Sequence, residues 1–160
     1  GLLVSSYDPS EPTGEGGGST MQMMWKVNGV SVLYAFSLFM QMELLMNVYR
    51  LERVTGIAHM DRYVPVAVLL LLVLFSILAY VLTKLHLNPG KRKYLTTILW
   101  IPYFLLFIKG FAYIYPITDP QEVPLPGIGL VVIAACGLYP LYIAGVTFWA
   151  GVGFRDPKTL

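Results

Sequence analysis

Four long apolar stretches, at residues 27–49, 64–83, 95–115 and 125–149, are separated by short polar breaks. Each is close to or above the roughly 20 residues a helix needs to cross a hydrocarbon core about 30 Å thick. The runs are continuous, as in Leu69-Leu70-Leu71-Leu72, and lack the alternation of a barrel strand. In lipid the backbone has no water to bond, so each run must satisfy its own N–H and C=O groups, as a helix does. The pattern predicts an all-α polytopic membrane protein with four transmembrane helices and short loops.

The borders of the runs fit that reading. Trp25, Tyr49, Tyr63, Tyr94, Tyr113, Tyr115 and Trp149 sit near predicted ends, where a ring rests in lipid and its polar tip in water. Pro102 and Pro140 fall inside the third and fourth runs and predict kinks there. The fourth run carries Gly127, Gly129, Gly137, Ala144 and Gly145, a small-residue surface suited to close helix packing. Its stiff entry is the turn Pro116-Ile117-Thr118-Asp119-Pro120.

Composition agrees with lipid as the solvent: 56% of the 160 residues are hydrophobic and 12% are charged. A net charge of +2 with no basic stripe gives no reason to expect nucleic acid as a partner. Basic residues favour the cytoplasmic side of a membrane. Lys26, Lys84, Lys91, Arg92, Lys93, Arg155 and Lys158 would share one face, against Arg50, Arg53 and Arg62 on the other. That asymmetry predicts both termini and the 84–94 loop on the cytoplasmic, matrix or stromal side.

Two charges lie inside runs, Glu43 in the first and Lys109 in the third. A charge there costs roughly 2.5–3.5 kcal/mol or more on insertion scales. The first and third helices run in the same direction, and each residue lies seven positions before the polar end of its run. At the helical rise, both sit about 10 Å below the same membrane face. An intramembrane Glu43–Lys109 pair that fixes helix packing is the expectation, with a proton relay as the alternative. Glu43, Asn47 and Arg50 share one helical face through their i, i+4, i+7 spacing. The segment Met42-Glu43-Leu44-Leu45-Met46-Asn47-Val48 resembles the acidic helix of the small subunit in the proton-pumping module of respiratory complex I. The likeness covers these residues only. That family has three spans and a second buried Glu where this chain has Lys109, so its function is not carried over.

Other chemistry finds little to build on. Cys136 is the single cysteine, which rules out an intrachain disulfide and a CxxC motif. His59 and His86 flank the second run and belong to opposite membrane faces, so they cannot share one haem or metal. The runs hold serines but no histidine or aspartate for intramembrane proteolysis. The run Gly14-Glu15-Gly16-Gly17-Gly18 lacks the lysine and strand of a phosphate loop. Met21, Met23 and Met24 read as adaptable packing rather than a copper(I) site. No metal, cofactor or catalytic set is expected.

Residues 1–20 have the Gly/Ser/Pro/Glu composition of a flexible tail, and residues 155–160 form a short C-terminal one. The first five residues also match the spacing of a myristoylation signal, which a four-span protein does not need. Together these features lead to an expected role as a non-catalytic accessory subunit of a larger, energy-converting membrane complex, held by other membrane subunits. The alternatives are an ion or proton pathway through Glu43 and Lys109, and a quinone or lipid site lined by Tyr103, Tyr113, Tyr139 and Tyr142.

Overall fold

A computed structural model describes residues 15–87, 91–118, 120, 123 and 125–152, with 15–17 and 19 described in backbone only. The first fourteen residues, the 155–160 tail and, with it, Arg155 and Lys158 lie outside the described residues. In chain order the elements are α1 (Glu15–Met46), α2 (Val48–Thr55), α3 (Met60–His86), a 3-10 turn (Lys91–Leu95), α4 (Thr96–Ile114) and α5 (Pro126–Val152). Among the described residues there is no strand. Four helices, α1, α3, α4 with its leading turn, and α5, are long and apolar enough to cross a membrane. The chain is an integral membrane protein built from these four.

The first helix differs from its expected limits at both ends. It begins at Glu15 rather than near Val27, and reaches back through the glycines of the polar tail. Elongating a helix is far easier than nucleating one, so the strong turns beyond Val27 carry it backwards. It ends at Met46 because Asn47 turns the chain (φ −102°, ψ 20°) before α2 starts. A glycine with φ 67°, Gly56, stops α2 by donating its N–H to the Glu52 carbonyl at 2.9 Å. Pro126 opens α5, where its missing N–H and fixed φ are harmless. Pro102 and Pro140 lie within α4 and α5, which continue past them.

α1 is the central helix. Buried residues make up 44% of its most apolar stretch, against 11% in each of the other spans. Its buried positions Val27, Val30, Tyr34, Ala35, Leu38 and Met42 follow the helical period, and α3 and α4 pack along them. Two polar side chains on this inner face find partners within α1. Ser31 donates to the Val27 carbonyl at 2.8 Å, and Gln41 to the Ser37 hydroxyl at 3.0 Å.

α5 closes the bundle through Tyr139, Ile143, Thr147 and Ala150. The Tyr139 hydroxyl donates to the Tyr34 carbonyl of α1 at 2.7 Å. Rings of Tyr34, Trp100, Tyr139 and Tyr142 meet around this point, with Trp100 edge-on to Tyr139 at 5.0 Å. The small residues Gly127, Gly129 and Gly137 are exposed instead, with nothing near the position a Cβ would take. The predicted border aromatics are all exposed; Tyr49, Tyr63, Tyr94, Tyr113, Tyr115 and Trp149 lie at or near helix ends, whereas Trp25 lies ten residues inside the extended α1. Leu69, Leu70, Leu74 and Leu78 of α3 are also exposed, as a lipid-facing wall requires.

Candidate functional site

The break after α1 is built by two side chains. Asn47 donates its Nδ2 hydrogens to the Glu43 carboxylate (Oε2, 2.7 Å) and to the Glu43 carbonyl (2.9 Å). Its own N–H reaches the same carbonyl at 3.0 Å, and its carbonyl accepts from the Leu51 N–H at 2.8 Å. These are i→i−4 bonds, so helical hydrogen bonding runs through Asn47, and its side chain's second donation to the Glu43 carbonyl accounts for the local distortion between α1 and α2. α2 follows that turn, with Leu51 and Val54 lining the space beside α1.

That space is a cavity of about 490 Å³ between α1, α2 and α4. Phe39, Met40 and Leu44 form one wall, and Phe111 and Tyr115 of α4 the other. Glu43, Asn47 and Arg50 are its polar lining. The size lies within the range of small-molecule sites, which are mainly apolar with a few placed polar groups. The guanidinium of Arg50 sits 5.8 Å from the centre of the Tyr115 ring, at the mouth. A second cavity of about 340 Å³ shares Glu43, Asn47, Phe111 and Tyr115 and continues past Ile108, Ala112 and Ile117. Below both, Phe36, Phe39, Phe107 and Phe111 form a chain of ring contacts between α1 and α4 at 5.6–5.8 Å.

Glu43 and Asn47 are hydrogen-bonded, and Arg50 lines the same cavity. Lys109 stands apart from them. It is exposed on α4, two residues from both Phe107 and Phe111, and so about 200° round the helix from the rings that meet α1. Leu106 and Tyr113 share its face and are exposed too; Gly110, about 100° further round, is also exposed, and a Cβ there would meet nothing within 4 Å.

Of the four tyrosines expected to line a ligand site, Tyr139 and Tyr142 stack on each other at 5.3 Å, and the four do not surround one cavity. Tyr139 of α5 is buried against α1, Tyr142 shares a 2.6 Å hydrogen bond with Ser76 of α3, and Tyr103 donates to Asn28 at 3.1 Å. Tyr113 is 89% exposed. His59 and His86 are exposed at opposite ends of the 27-residue α3, roughly 40 Å apart by helical rise. Among the described residues no three His, Cys, Asp or Glu side chains are grouped as metal ligands. No protein family, curated protein or solved structure among those compared matches the chain. Fold and site together define a polytopic α-helical membrane protein with an apolar groove capped by a polar triad.

Proposed function

We propose that this protein is a non-catalytic subunit of a larger membrane assembly, docked through the Lys109 face of α4. The observation that carries the reading is the exposed Lys109 within a span, on the side away from the chain's own helices. A lone ammonium at that depth opposes insertion by roughly 2.5–3.5 kcal/mol or more. A carboxylate on a neighbouring transmembrane helix at the same depth offsets that cost. The exposed Gly110 beside it lets another backbone come close, which favours association where no water is displaced. The fitting partner is a helix with an Asp or Glu about 10 Å below the membrane face on which α1 and α4 end.

The native particle tests this. Extracted in mild detergent, the chain is expected in a particle several times its own 17.9 kDa, with the same partner proteins in each preparation. A particle holding only this chain and lipid contradicts the proposal.

A further inference from the structure

We propose that the paired grooves around Glu43 and Asn47 bind a two-chained lipid whose head group is a free hydroxyl, of the diacylglycerol type. Three features of the site lead to this ligand. The first is hydrogen-bonding capacity. Both Nδ2 hydrogens of Asn47 are committed to Glu43, one to its carbonyl and one to carboxylate Oε2. What the pair still offers is acceptor capacity, at Asn47 Oδ1 and at the second carboxylate oxygen. A ligand that completes it brings a donor. Against the Glu43–Asn47 pair an ester or a quinone carbonyl sets another acceptor, whereas a hydroxyl fits; Arg50, the remaining polar lining residue, packs against Tyr115.

The second feature is branching. The cavities of about 490 Å³ and 340 Å³ share Glu43, Asn47, Phe111 and Tyr115 in their linings, the first extending along Met40 and Leu44 and the second along Ile108 and Ala112. Two apolar channels that meet at one polar point match a ligand with two chains and one head. A single-tailed amphiphile fills one channel and leaves the other empty. The third feature is position. Glu43 lies in the last turn of α1, about 10 Å below the membrane face and so in the outer third of a hydrocarbon core about 30 Å thick, a depth that a small uncharged head group reaches with both chains running along the span. Leu51 of α2 forms part of the larger channel's wall, and Arg50 with Tyr115 forms the mouth.

The test uses the full chain in its native membranes with three photoreactive, alkyne-tagged probes: a diacylglycerol, its O-methyl ether and a quinone. After irradiation the labelled peptides of the chain are mapped. The diacylglycerol is expected to label the α1 and α4 segments around the grooves at least about tenfold more than the ether, since a site built for a donor rejects the analogue lacking it. Glu43→Leu should abolish that preference, and Lys109→Leu should leave it intact even where the assembly is lost. Leu44→Trp narrows one channel and Ala112→Trp the other, with the polar pair kept. Each is expected to reduce diacylglycerol labelling, and between them they decide the matter if Glu43→Leu fails to accumulate. Equal labelling by the ether, preference for the quinone, or a loss with only one of the two tryptophan variants overturns the proposal.

Discussion

Replacing Trp100 with alanine is expected to destabilise the bundle by roughly 3–5 kcal/mol, the range for removing a large aromatic from a packed core. Trp100 is 3% exposed, with its ring edge-on to Tyr139 at 5.0 Å and tilted against Phe104 at 5.6 Å. Its Nε1–H donates to the Thr97 carbonyl at 2.9 Å. Inside a membrane, lipid is as apolar as the core, so helices are held by close packing and hydrogen bonds rather than by expulsion of water. The cavity left by an indole forfeits its dispersion contacts with α5 as well as within α4. Trp149 provides the control. It is 69% exposed, and its alanine variant is expected to change stability by no more than about 0.5 kcal/mol. Denaturation midpoints in mixed micelles measure both, and equal losses would show that Trp100 does not hold the core.

The second large effect concerns association. On the proposed docking, Lys109→Glu is expected to release the chain from its assembly, because it would set a carboxylate against the one proposed on the partner helix. Loss of a buried pair costs roughly 3–5 kcal/mol, which is more than about a hundredfold in affinity. Lys109→Arg keeps the charge and should keep most of the association. Lys109 is exposed on α4, so Lys109→Glu should fold with its internal packing unchanged. The check is co-purification of the partner from native membranes, with the denaturation midpoint of the variant measured in parallel. Retention of the partner by Lys109→Glu contradicts the role assigned to this face.

Much of the fold was legible because a spanning helix is specified by composition over a length. The stretches around Leu69–Leu72 and Ile98–Leu106 need no partner to be read as spans. The break at Asn47 was not legible. Asparagine is a tolerable helix residue, and only its side chain's two bonds to Glu43 show that it distorts the helix here. The shared face of Glu43, Asn47 and Arg50 follows from helical period, but the opposite wall does not. Period gives the angle between residues of one helix and says nothing about which angle meets a neighbour. Phe111 and Tyr115 therefore could not be distinguished from the other aromatics of the third run. The same limit governs Lys109. Its depth follows from counting residues, whereas its outward direction depends on Phe107 and Phe111 meeting Phe39. The inner hydroxyls were passed over for a similar reason. Tyr34, Thr83 and Thr147 are at most 2% exposed, on three different helices, and only tertiary packing brings Thr83 and Thr147 beside Tyr34.

The most direct measurement is photo-cross-linking in native membranes, with a photoreactive amino acid placed at Gly110 and, separately, at Leu70. Both positions are exposed, Gly110 beside Lys109 on α4 and Leu70 on the leucine wall of α3. The account predicts a discrete adduct with one partner protein at Gly110, lost in the Lys109→Glu background, and lipid adducts alone at Leu70. Lipid adducts alone at both positions would contradict it, and would leave Lys109 as a residue that reaches the head groups from a lipid-facing helix.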